Sequence, residues 1–324
     1  VPRSTIIDPS LTVETPPEPA VDTKPAGAAE FAEGLKPRDP LFLLAQRVFR
    51  AELEALRANL RPERKLPLPQ EIHQSRIALR RLRVALSVFR DFTPVQVEQF
   101  RLEFRWLAQA LGEMRDLDVY AETLGGAEGG AALPAVVRKS IERLRKDASA
   151  RLVSVLGSKR FAALLDSFAA FAGVDLPPGV QRRWRSLRIR DAIDGDLKRS
   201  RKRVLKAGRK IDAESPLEEL HELRIRAKRL RYEAEFYTGF EKDLSALTRG
   251  AKQLQDLLGS HRDALAAIDR LRAVTRVSKG DAKASAAIAA LIRAQTERAG
   301  ELRRRYPSAW RKFEKTTAKA KPGG

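Results

Sequence analysis

Two stretches of this 324-residue sequence carry the same polar spacing. His73, Arg76, Arg80 and Arg83 are matched 148 residues later by His221, Arg224, Lys228 and Arg231. At about 100° per residue, each foursome falls within one quadrant of a helix and makes a stripe roughly 15 Å long. Arginine offers a planar fork of donors that grips two anionic oxygens at once, and lysine supplies a compact point charge. A row of such groups answers a polymer whose own charges come in a row. Binding of that kind releases condensed counterions and depends steeply on salt. Histidine adds a donor whose charge responds near neutral pH, raised by a bound anion and lowered by neighbouring arginines.

A second pair of blocks follows in the same order. Leu111-Gly112-Glu113-Met114-Arg115-Asp116 aligns with Leu258-Gly259-Ser260-His261-Arg262-Asp263, at an offset of 147. Two blocks in one order at nearly one offset mark an internal duplication. A basic run on one helix is ordinarily its solvated face. Here two of the three histidines hold equivalent places, each with Arg at +3, a base at +7 and Arg at +10, and solvation does not demand that agreement. The Arg115-Asp116 and Arg262-Asp263 pairs fit either an anion site, with the acid orienting the base, or ion pairs between helices. Asp116 and Asp118 do not suggest a metal site, because the second copy has Asp263 and Leu265 there. His261, opposite Met114, reads as a packing or surface residue. Arg47 and Arg50 in the first helix, and Arg199 and Arg203 in the corresponding helix of the second half, could extend the basic surface.

The charge balance points the same way. The net charge is +21, and because residues 1–35 sum to −4, the remainder carries +25. Such an excess calls for an anionic partner: nucleic acid, a membrane surface or a phosphate polymer. Cysteine is absent, which excludes disulfides, thiol nucleophiles and cysteine-built metal sites. The most apolar stretch, 161–174, is broken by Asp166, so no membrane insertion is expected.

The elements that must position these groups are helical almost throughout. Residues 1–38 are rich in Pro, Ala and acids and read as a disordered tail. From Pro40 onward apolar residues recur every three or four positions. Breaks are expected at Arg61-Pro62 with Pro67 to Pro69, at Thr93-Pro94, and at Gly125-Gly126 with Gly129-Gly130. A fourth helical stretch, 132–171, should kink at Gly157-Ser158. Pro177-Pro178-Gly179 reads as a linker. Helices follow at about 181–212, 216–238, 242–273 and 282–305, with a short one ending near 315 and a disordered tail over 317–324. Ala78, Leu79, Leu82, Ala85, Leu86 and Phe89 form a core face opposite the first stripe. Leu223, Ala227, Leu230, Ala234 and Tyr237 do the same opposite the second. The expected architecture is all-α: two four-helix halves, 39–174 and 175–316, in one duplicated chain.

The sequence lacks a Walker A loop, a dinucleotide-binding glycine turn and a Gly-x-Ser-x-Gly elbow. Ile225 stands where His221-Glu222 would need a second histidine for a zinc protease motif, and clustered carboxylates for a metal-assisted phosphatase are missing. The chain is therefore read as a binder rather than an enzyme, with no metal or cofactor. Aromatic residues are only 6% of the sequence, which disfavours base stacking and ranks nucleic acid second among the polyanions.

At these motifs the chain resembles the CHAD family, named for a histidine-bearing α-helical domain. The resemblance rests on His73-x-x-Arg76-x-x-x-Arg80-Arg-Leu-Arg83, on Leu111-Gly-Glu-Met-Arg115-Asp116-Leu-Asp118 and on both second-half copies, over about residues 40–315. It implies a pair of four-helix bundles related by pseudo-twofold symmetry, with a basic surface or central channel between them. It also implies binding of inorganic polyphosphate and a cytoplasmic location at bacterial polyphosphate granules. Carried over by motif, the binding residues would be His73, Arg76, Arg80, Arg83, Arg115, His221, Arg224, Lys228, Arg231 and Arg262. Lys228 departs from the pattern, standing opposite Arg80 without the bidentate fork. The Glu-x-Glu-x-Lys mark of a fused triphosphate-tunnel domain is absent.

Overall fold

The computed structural model describes residues 28–61, 65–90, 94–125, 133–173, 186–212, 214–241, 243–277 and 281–319. It is all-α, with no strand among the described residues and a single isolated bridge between Pro40 and Arg188. In chain order the helices are α1 (Ala28–Ala32), α2 (Leu41–Asn59), α3 (Pro69–Val88), α4 (Pro94–Gly125), α5 (Ala135–Leu156) and α6 (Lys159–Gly173). Then come α7 (Ile189–Ala192), a π turn (Ile193–Leu197), α8 (Lys198–Gly208), α9 (Leu217–Tyr237), α10 (Leu244–Val277) and α11 (Ala282–Lys319).

Local chemistry explains the starts. Pro69 opens α3, where its missing N–H is no loss, and the Leu68 N–H donates to the Glu71 carboxylate at 2.7 Å. Leu41 and Ile189 open α2 and α7 from a shared clasp. Leu41 N–H donates to Leu187 O (2.8 Å) and Ile189 N–H to Asp39 O (3.1 Å), a pair of reciprocal bonds about Pro40 and Arg188, which stand at the repeat offset. The core faces expected opposite the stripes are buried at every named position, from Ala78 to Phe89 and from Leu223 to Tyr237.

Several expectations are corrected. The expected 1–38 tail includes a packed segment. Residues 1–27 lie outside the described residues, but α1 is helical and Phe31, fully buried, meets Phe236 edge-on at 6.0 Å. The stretch expected to kink at Gly157-Ser158 is two helices. The Ser158 hydroxyl accepts the Phe161 N–H at 3.2 Å and so starts α6 afresh. The helix expected over about 181–212 is interrupted: Ser186 is helical, Leu187 and Arg188 are not, the helix resumes at Ile189, and residues 181–185 lie outside the described residues. The final helix does not stop near 305. It runs through Pro307 to Lys319, beyond the expected tail boundary at 317. An interior proline costs about 3 kcal/mol, and the buried Tyr306, Trp310 and Phe313 on both sides of it offset that cost. Trp310 packs directly on Gly208, where a Cβ would collide with its ring, and the Tyr306 hydroxyl donates to Gly208 O at 2.9 Å. The proposed 177–179 linker, the glycines from 126 to 130 and residues 320–324 lie outside the described residues.

The main core is continuous from Phe31 to Phe313 and draws on helices of both halves. A smaller cluster of Tyr120, Leu124, Val137, Ile141, Ala267, Leu271, Val274, Ile288 and Leu291 joins the far ends of α4, α5, α10 and α11. A buried ion cluster ties the halves at α3 and α9. Arg81 Nη1 lies 3.3 Å from Glu52, its Nη2 lies 3.0 Å from Glu235, and Arg231 closes on Glu235 at 2.6 Å. Burial pushes the Glu52 carboxyl up to about 8, with the Arg81 charge opposing.

Candidate functional site

Helices α3 and α9 present the stripes, while α4 and α10 bring the Arg-Asp motifs alongside. In the first half, Arg76 Nη2 lies 3.5 Å from Asp116. Arg115 holds Glu122 through two bonds, of 2.8 and 3.2 Å. The glycine of each Leu-Gly motif lies against the arginine of each stripe. A Cβ on Gly112 would stand 2.7 Å from Nη1 of Arg76, and one on Gly259 would stand 3.4 Å from Nε of Arg224. The repeat thus has the same fit in its two copies: a bare backbone on one helix lets a guanidinium approach it closely. The Nε atoms of Arg76 and Arg224 are both buried and both lack a hydrogen-bond partner. Unmet donors at equivalent places mark two guanidinium groups that the protein leaves incompletely satisfied within a mainly cationic cluster.

The electrostatics link the two copies. Arg76 is held below its ordinary range by burial first and then by Arg80; Asp116 opposes the shift, and Arg115 and Arg262 add to it. Arg224 is lowered by burial and then Arg262, with Asp263 opposing and Arg80 adding. Lys228 falls to about 7 through burial, then through Arg80, Arg224, Arg83 and Arg262. Charges on α3 therefore bear on α9, and Arg262 on α10 bears on α3. Both stripe histidines are pushed down, so an empty site favours neutral imidazoles. His73 responds to burial, then Arg115, Arg80 and Arg76; His221 responds to burial, then Arg262, Arg224 and Lys228.

The structure brings together His73, Arg76, Arg80, Arg115, His221, Arg224, Lys228 and Arg262. Arg83 sits at the margin, lowered by burial and then by Arg105 and Arg101 of α4, two cations the motifs did not mark. Arg231 faces elsewhere: its donors go to Glu235 and Gln255, and its guanidinium lies 4.0 Å over the Tyr232 ring. Arg47 donates to the carbonyls of Phe31 and Glu33 and clamps the N-terminal segment. Arg50 caps α6 through Ala172 O (2.9 Å) and Gly173 O. Arg199 pairs with Asp196, and with Arg203 it lines a separate small cavity. Asp118 is buried against Arg145, and no cluster of metal-ligating side chains occurs among the described residues. His261 is buried, as a packing residue would be. No helix among the described residues is long and apolar enough to cross a membrane.

Comparison with known proteins agrees with this picture at the level of family and fold. Two Mycobacterium tuberculosis proteins, the uncharacterized proteins Rv2226 and MT2285 of strains H37Rv and CDC 1551, are each 28% identical over 261 residues. That match covers 77% of this chain but 49% of theirs, so the chain spans about half the length of these relatives. The crystal structure of the CHAD domain from the plant Ricinus communis superposes with a TM-score of 0.70 at 23% identity, covering 90% of this chain and 97% of that one. PptA from Streptomyces chartreusis gives 0.66 at 19% identity, covering 85% and 99%. The CHAD domain pattern matches residues 47–272, which include both stripes and both Arg-Asp motifs, and the chain belongs to the CHAD domain family.

Proposed function

We propose that this chain is a non-catalytic binder of inorganic polyphosphate and that it works at polyphosphate granules. The supporting observation is the matched pair Arg76 and Arg224, each with a buried, unpartnered Nε, inside a cluster whose cations lower one another's proton affinity. An extended polyanion relieves that repulsion along its length, which a single small anion cannot do. In this reading the duplicated chain forms two four-helix halves about a pseudo-twofold axis, with the stripes facing one basic surface between them. Capture is electrostatic, and gripping follows through the guanidinium forks.

The test is calorimetric titration with long-chain polyphosphate at several salt concentrations, with duplex DNA as competitor at equal phosphate. Binding that survives excess DNA supports the proposal. Binding that DNA abolishes would make this a general polyanion or nucleic-acid protein.

A further inference from the structure

The buried Arg81 cluster has a counterpart that lacks its acids. At the 148-residue offset, Arg81 corresponds to Arg229, Glu235 to Ser87, and Glu52 to Ser200. Arg81 is satisfied by both carboxylates. Arg229 instead faces a cavity of about 80 Å³ that is also lined by Ser87 and Ser200, and its buried Nε has no hydrogen-bond partner. Three more arginines, Arg90, Arg199 and Arg203, line this cavity.

Among the described residues, two acids line the same cavity. Asp196 is paired with Arg199, and Glu233 is bound by the Ser200 hydroxyl at 2.6 Å. Burial raises the Glu233 carboxyl above its ordinary range, which weakens its claim on the nearby arginines. Arg229 and Arg203 thus share the buried Glu233, while Asp196 is taken by Arg199. A π turn shapes one wall, shifting the register of the chain at Asp196 before α8 begins. None of the stripe or Arg-Asp residues lines the cavity.

We propose that this cavity is a second anion site, which takes one compact phosphoryl dianion in the place of the two missing carboxylates. Its ligand is either free orthophosphate or the terminal phosphate of a chain. The site stands apart from the polyphosphate reading, because its residues and its symmetry argument are its own.

The experiment is calorimetry and ³¹P line broadening on the full chain with orthophosphate, linear tripolyphosphate and cyclic trimetaphosphate, which has no ends. The background carries Arg76→Gln and Arg224→Gln, which weakens the stripes, and the cavity variants assign the binding that remains. Saturable binding of orthophosphate identifies the free ion as ligand. Binding of tripolyphosphate alone, with the cyclic form inert, identifies a chain end. In either case Arg203→Gln, an exposed change that leaves the core intact, should weaken binding by about tenfold or more. Ser87→Glu supplies the acid the other half uses and should abolish binding while raising Tm. The proposal is overturned if the stripe-deficient protein binds no phosphate, or if Arg203→Gln leaves its affinity unchanged.

Discussion

Gly112 lies so close to Arg76 that a Cβ there would stand 2.7 Å from the guanidinium Nη1. The equivalent approach of Gly259 to Arg224 is looser, at 3.4 Å. Gly112→Ala should therefore displace Arg76 and weaken polyphosphate binding by about threefold to tenfold, the range expected for disturbing one charge-assisted bond. Gly259→Ala should do less. Titration of both variants at one salt concentration checks the order; equal effects would mean that the contact does not set the guanidinium position.

The matched arginines should also appear in the salt dependence. Replacing both Arg76 and Arg224 with Ala removes two phosphate contacts, and the slope of log K against log salt should flatten by roughly 1.4 to 1.8. An unchanged slope would remove these two positions from the interface.

Lys228 gives the site a pH response. Its folded value is about 7, whereas an unfolded lysine holds its proton to about 10.4. Between those values the unfolded chain binds more protons, so stability of the empty fold should rise with pH across that window. A bound polyanion favours the charged amine, so binding should take up a proton and weaken as pH rises from about 7 to 9. Calorimetry in two buffers of different ionisation enthalpy measures the uptake. Lys228→Arg should abolish the portion due to this residue.

Arg81 is a matter of stability rather than binding. Its loss takes the partner from Glu52, whose side chain is 0% exposed and whose carboxyl burial already pushes up to about 8, and Arg81→Ala should cost about 1–3 kcal/mol by urea denaturation. Replacing Arg81, Glu52 and Glu235 together with apolar residues of similar size should recover most of that loss.

Much of this was legible in the sequence, and the illegible part has a common cause. The apolar faces of α3 and α9 and the stripes opposite them are periodic, so composition and spacing suffice to find them. Phe31 gives no such signal, since its packing partner Phe236 lies in a helix of the other half. The donors of Arg47 and Arg50 are likewise taken by backbone carbonyls of other segments, and the partners of Arg231 include Gln255 on another helix. Gly112 and Gly259 stood in the repeated motif, but their purpose depends on a contact between helices. Pro307 reads as a stop locally, and only the packing of Tyr306, Trp310 and Phe313 carries the helix through it.

The reciprocal bonds between residues 39–41 and 187–189 bear on how the chain is made. At roughly 5–20 residues per second, a ribosome takes about 7–30 s to add the 148 residues that separate the two sides of this clasp. When the first half is complete at about residue 174, Phe236 for Phe31 and Glu235 for Arg81 are still about 60 residues, or roughly 3–12 s, from being added. The nascent first half therefore waits with apolar surface uncovered, and the second half completes it as a partner subunit would, supplied by the same polypeptide.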